Sequence, residues 1–213
     1  MNSKIKPLGY YNYTVILTYI GMLIGVVGIA YAFEHNSCAA VICLMLSGFC
    51  DMFDGTVAST RQRNEQEKNF GIQIDSLSDL ICFGVLPGAI TYSLNPHNNL
   101  VLAISALYVL CALIRLAYFN VDEMDRQKTS STSRTLYYGL PVTLSALFYP
   151  LIYAAGRVFS WKTPIASTVT LFVMAVLFLT PVPLKKPKLL GKLAVLLCGI
   201  AEVGFVILSL DFV

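Results

Sequence analysis

Charged residues are scarce in this sequence. Asp, Glu, Lys and Arg make up 13% of its 213 residues, and 56% are hydrophobic; soluble domains carry about 25% charge. Mean hydropathy is +0.69, which excludes a water-soluble globule. Cysteine motifs are missing too. Cys38, Cys43, Cys50, Cys82, Cys111 and Cys198 lie in or beside apolar stretches without a CxxC pair. That pattern argues against a zinc site or a disulfide framework and leaves small buried hydrophobes. The net charge of +3 gives no footprint for nucleic acid, and there is neither a low-complexity tract nor a convincing internal repeat. A cleavable leader is not expected. Lys4 and Lys6 precede an apolar run too long for a signal core, and no small-residue cleavage site ends it. The opening residues read as a short interfacial segment.

What the chain does have is apolar runs, at 13–33, 100–113, 166–180 and 193–210, each near the roughly 20 residues that cross a bilayer core. The expected fold is all-α, a single integral membrane domain over 1–213. Spans are expected at about 13–33, 38–58, 70–94, 99–120, 137–156, 163–181 and 190–210, and Pro141, Pro150 and Pro164 leave six to eight open. With the N-terminus inside, only Arg157 and Lys162 of the 15 Lys and Arg residues fall outside. The N-terminus and the polar loop 59–69 are therefore expected to face the cytoplasm. The run from Lys185 to Lys192 reads as an orientation anchor. Gly21 with Gly25, and Gly84 with Gly88, form GxxxG pairs suited to close helix packing.

The few acids are not scattered. Asp51 and Asp54 stand three apart, and Asp75 and Asp79 four apart, so each pair shares a helix face. The two helices flank one loop and are antiparallel neighbours, which lets the acidic faces meet near one side of the bilayer. One intramembrane aspartate costs roughly 2.5–3.5 kcal/mol, so such acids are functional by default. Oxygen donors without a His or Cys cluster select a hard divalent cation, Mg²⁺ or Mn²⁺. Two ions would offset the four charges and clamp a diphosphate. Gly55 directly after Asp54, and Gly71 four before Asp75, suit a nucleotide approaching the backbone closely.

Asp51-x2-Asp54-Gly55-x2-Ala58 followed by Gly71-x3-Asp75-x3-Asp79 resembles the signature of the CDP-alcohol phosphatidyltransferases. The resemblance implies that Asp51, Asp54 and Asp75 hold one metal ion, and that Asp51, Asp75 and Asp79 hold a second. It also implies that Asp79 is the base that deprotonates the incoming alcohol. A homodimer in the plasma membrane, with the active site facing the cytoplasm, is the implied setting, and the GxxxG faces are compatible with it. Two departures stand out. Ser59 occupies the place of the signature's arginine, and the interval to Gly71 is two or three residues longer than usual. Arg61 or Arg63 is then the candidate cation for a CDP-lipid phosphate.

The text from Phe70 to Pro87, with Arg115 to Asn120 and Tyr138 to Pro141, resembles the phosphatidylserine synthase branch of that family. It implies CDP-diacylglycerol and L-serine as substrates, with CMP released. For the serine carboxylate the candidates are Arg115 and Arg134, the latter beside Tyr137 and Tyr138. Arg115 reads equally as a snorkelling anchor, and Arg134 as part of an interfacial belt. Ser76 and Ser78, between the acids, either face substrate or pack inside the helix. Glycerol phosphate or inositol phosphate as acceptor, and a cation pathway lined by the acids, are the rival readings. The second is weakened by acids gathered toward one face and by the missing repeat.

Overall fold

The computed structural model describes residues 8–129, 136–185 and 189–208, with side chains at 8–126, 139–183 and 197–208. A 3₁₀ turn, Tyr13–Val15, enters α1 (Ile16–Phe33), which is followed by α2 (Ser37–Ala58). Helix α3 (Glu65–Asp79) runs through a π-helical stretch, Leu80–Val85, into α4 (Leu86–Leu94). Then come α5 (Asn99–Thr129), β1 (Leu136–Tyr138), α6 (Ser145–Val158), α7 (Thr163–Leu179), β2 (Pro183–Lys185) and α8 (Leu189–Leu208). The architecture is an all-α membrane bundle. Its small exception is the antiparallel pair β1–β2, with Leu136 opposite Lys185 and Tyr138 opposite Pro183.

Tyr13–Phe33, Ser37–Ala58, Glu65–Leu94 and Asn99–Arg126 are long and apolar enough to cross a membrane. Val142–Val158 and Thr163–Leu179 are shorter apolar helices, and α8 is apolar over its described side chains, Leu197–Leu208; the three lie at the remaining expected spans. Outward positions such as Leu23, Val27, Leu110, Leu113, Val169 and Val173 are exposed and apolar. That is the surface a bundle presents to lipid, since its backbone polar groups are satisfied within the helices.

Three boundaries differ from the sequence expectation, one being the end of α5, which runs on to Thr129 instead of stopping at about 120. Helix α3 begins at Glu65 rather than at 70, because Asn64 and Glu67 form a capping box. Asn64 accepts from the Glu67 N–H at 2.8 Å, and Glu67 accepts from the Asn64 N–H at 3.1 Å. The expected loop 59–69 shrinks to 59–64. The fifth span begins at Val142 rather than 137, with a 3₁₀ turn, Val142–Leu144, that leads into α6. Pro141 is extended there, and Gly139 has φ +78° with the Phe178 carbonyl oxygen 2.8 Å from where a Cβ would stand. Neither residue suits a helix at that point. Pro150 is carried inside α6, and Pro164 sits in the first turn of α7, where no N–H is needed.

Helix α1 lies against α2 and the π stretch at backbone distance. A Cβ on Gly25 would fall 2.6 Å from Cys82 Sγ, and one on Gly28 2.8 Å from Cys43 Cβ. Gly84 and Gly88 face Ala112 and Val109 of α5. Both GxxxG pairs are thus consumed inside the chain and lend no support to a dimer.

Pro87 has no N–H for the Phe83 carbonyl one turn back. The Tyr108 hydroxyl donates to that carbonyl oxygen at 2.7 Å, and the Ser145 hydroxyl at 3.3 Å. Tyr108, Tyr149 and Phe83 are buried together in the core, where Thr91 and the Tyr149 hydroxyl meet at 2.8 Å. The helix carrying Asp79 is therefore fixed from α5 and α6 just beyond that residue.

Candidate active site

The last turns of α2 bring Asp51 and Asp54 beside Asp75 and Asp79 of α3. One carboxylate oxygen from each of Asp51, Asp54 and Asp75 lies within 4.8 Å of the others. Asp79 joins them around a small cavity that it lines together with Asp51 and Asp54. Among the described residues the ion pairs are Arg61–Glu67 and Arg126–Glu123, and neither involves these four acids. A compact set of oxygen donors without a matching protein cation is what a hard divalent ion requires. The donor chemistry fits such an ion.

Helix α1 adds a residue that sequence reasoning missed. The Thr18 hydroxyl donates to Asp54 Oδ2 at 2.9 Å, and both side chains are buried. A buried threonine in the first span was the available signal, but nothing in spacing linked it to acids 36 residues away. Thr18 and Asp54 line two cavities. One, of about 10 Å³, is shared with Asp51, Ser78, Asp79 and Cys82 and has room for about one water. The other, of about 580 Å³, is lined by Asp54 and Asp75 and by Arg63, Lys68 and Arg126. Its size is that of a small-molecule site. On the sequence Lys68 and Arg126 are only two of the 13 Lys and Arg residues (15 less Arg157 and Lys162) expected on the cytoplasmic side.

The other expected site residues separate into two groups. Gly55, Arg63 and Gly71 line the larger cavity. A Cβ on Gly55 would meet nothing within 4 Å, so helix packing does not explain that glycine. Ser59 and Arg61 are not among the lining residues. Ser59 is exposed and turns its hydroxyl onto the Thr56 carbonyl at 2.7 Å, while Arg61 reaches Glu67 at 3.7 Å.

Ser78 is buried and donates to the Thr18 carbonyl at 3.4 Å, and Ser76 donates to Asn120 Oδ1 at 2.8 Å, tying α3 to α5. Arg115 is buried rather than snorkelling. Its Nε donates to the Leu140 carbonyl at 3.1 Å, and its guanidinium lies 5.1 Å from the centre of the Phe119 ring. Arg134 lies outside the described residues, as do the side chains of Tyr137 and Tyr138.

With two acid-bearing helices meeting beside a basic-rimmed cavity, the comparison with known families is decisive. The sequence matches the CDP-alcohol phosphatidyltransferase domain over residues 11–207. The chain belongs to the CDP-alcohol phosphatidyltransferase family. Within that family it is 40% identical over 116 residues to the CDP-diacylglycerol–serine O-phosphatidyltransferase of Saccharomyces cerevisiae, covering 53% of this chain and 41% of that protein. It is 34% identical over 149 residues to the enzyme of the same name in Helicobacter pylori, covering 69% of this chain and 58% of the relative. The Bacillus subtilis protein of that name is 28% identical over 158 residues, which cover 68% of this chain and 82% of the relative. The chain thus spans about half the length of the yeast and Helicobacter relatives. All four acids of the CDP-alcohol phosphatidyltransferase signature lie on the two facing helices described above.

Proposed function

We propose that this chain transfers the phosphatidyl group of CDP-diacylglycerol to L-serine, giving phosphatidylserine and CMP. The observation that carries the proposal is the convergence of Asp51, Asp54 and Asp75 beside a cavity of about 580 Å³ that Arg63, Lys68 and Arg126 also line. Family membership and the names of the relatives supply the substrate pair. Asp51, Asp54 and Asp75 would hold one divalent ion, Mg²⁺ or Mn²⁺, and Asp51, Asp75 and Asp79 a second. Such ions, when bound, stabilise charge on phosphoryl oxygens and on a leaving nucleotide.

The chain's own groups do the rest. Asp79 accepts the proton of the serine hydroxyl at a carboxylate oxygen, making that hydroxyl nucleophilic. The hydroxyl oxygen bonds to the lipid-side phosphorus, and the bond from that phosphorus to the bridging oxygen breaks, the oxygen leaving with CMP. Gly55 leaves the backbone of α2 bare toward the nucleotide. We assign the serine carboxylate to Arg115 or Arg134, while Ser78 acts through its bond to α1.

The positive-inside pattern supports an active site facing the cytoplasm, and the family resemblance is what suggests a single-domain homodimer in the plasma membrane. Purified protein supplied with labelled serine, CDP-diacylglycerol and Mn²⁺ or Mg²⁺ tests the proposal. Metal-dependent phosphatidylserine with equimolar CMP is the expected result. CMP release only with glycerol phosphate or inositol phosphate would replace the acceptor, and no CMP release with any alcohol would remove the transferase reading.

A further inference from the structure

We infer that Arg63 is the diphosphate-binding cation of this site, and that Gly71 is bare so that its guanidinium can lie against α3. The inference rests on the phosphatidyl-transfer reading above and names the residue that meets the nucleotide's phosphates. Three cations line the larger cavity, and they are not equivalent. Arg126 is bonded to Glu123 twice, from Nε at 2.9 Å and from Nη2 at 2.5 Å. Lys68 is exposed and lacks the planar fork that fits phosphate oxygens. Arg63 is half-buried and makes no ion pair among the described residues.

Its position is set by an absence. A Cβ on Gly71 would lie 2.9 Å from Arg63 Nη1, so the guanidinium occupies the space that any other residue's Cβ would crowd. Gly71 stands one turn before Asp75 on the same helix, which places the fork over the turn that leads to the acids. A ligand reaching both must carry anionic oxygens toward Arg63 and toward ions held by the aspartates, which a nucleoside diphosphate does. Arg61, the other candidate from the same loop, is exposed, is turned to Glu67 and does not line the cavity. Ser59, where the family signature has arginine, is also turned away. The longer loop thus delivers its cation from four residues further along.

The test uses the full-length protein in detergent with Mn²⁺, measuring KM for CDP-diacylglycerol and for serine separately, together with binding of CDP by calorimetry. Arg63→Ala is expected to raise the CDP-diacylglycerol KM and weaken CDP binding about tenfold or more, with the serine KM within about twofold, because one charge-assisted fork is lost. Gly71→Ala displaces only the flexible end of a side chain, so the protein is expected to keep its melting temperature while showing the same selective rise in KM.

The double variant is expected to be no worse than Arg63→Ala alone, since both changes remove one interaction. An unchanged CDP-diacylglycerol KM in Arg63→Ala overturns the assignment. So does a larger effect from Arg61→Ala, or a double variant whose losses multiply. A wild-type protein that releases no CMP would instead refute the transferase reading itself.

Discussion

Thr18 of α1 donates its hydroxyl to Asp54 Oδ2 of α2 at 2.9 Å. The bond orients a carboxylate that also lies within 4.8 Å of those of Asp51 and Asp75, so a helix without an acid of its own takes part in the acidic site. Groups that orient a metal ligand typically contribute 10–100-fold in metal affinity. Thr18→Val is expected to shift the Mn²⁺ or Mg²⁺ activation midpoint upward by about tenfold, and Thr18→Ser to restore it. An unshifted midpoint in the valine variant would reduce Thr18 to a packing residue.

Removal of divalent ions by a chelator is expected to stop CMP release, and added Mg²⁺ or Mn²⁺ to restore it. Asp75→Asn should lower turnover by about 10²-fold or more, in line with the several kcal/mol that a catalytic ion supplies. Retention of most activity after chelation, read as labelled CMP over time, would remove the metal from the mechanism.

Two glycines on neighbouring helices should behave oppositely. Gly28→Ala places a Cβ 2.8 Å from Cys43 Cβ and within 3.1 Å of Leu86, and is expected to destabilise the protein by about 1–3 kcal/mol. Gly55→Ala meets nothing within 4 Å and should leave stability equal or raise it by about 0.5–1 kcal/mol. The same change fills part of the cavity and should raise the KM for the CDP-lipid. Thermal melts and kinetics on both proteins separate the two effects.

Tyr108→Phe keeps the ring and deletes the hydroxyl that donates to the Phe83 carbonyl oxygen. A stability loss of about 0.5–1.5 kcal/mol is expected, the usual net contribution of one hydrogen bond, since the Ser145 hydroxyl still reaches that oxygen. Ser145→Ala, whose bond to the same oxygen is 3.3 Å, should cost less. Equal melting temperatures for Tyr108→Phe and the unaltered protein would show that another group satisfies this carbonyl.

The acids were legible in the sequence because intervals of three and four residues translate directly into one helix face. The spans were legible because apolar length is itself the signal. What escaped depended on contacts between distant segments. Thr18 reaches Asp54 only after α1 packs along α2 through Gly21 and Gly28. Arg61 and Arg63 are indistinguishable as letters, and they separate only because Glu67 attracts one and Gly71 leaves room for the other. The capping box at Asn64 and Glu67 could have been read from the text, but the polar composition of 59–69 masked it. β1 could not be read locally, since its pairing partner lies more than 40 residues away.

The six-residue connection 59–64 bears on how the chain enters a bilayer. With so short a link, α2 and α3 stay tethered to each other, and their four aspartates are brought to the membrane as one unit. Neither helix has to shelter its own pair of carboxyls in lipid while awaiting the other. Lengthening this link with inert residues would stagger the arrival of the two pairs and penalise biogenesis before any catalytic step is reached.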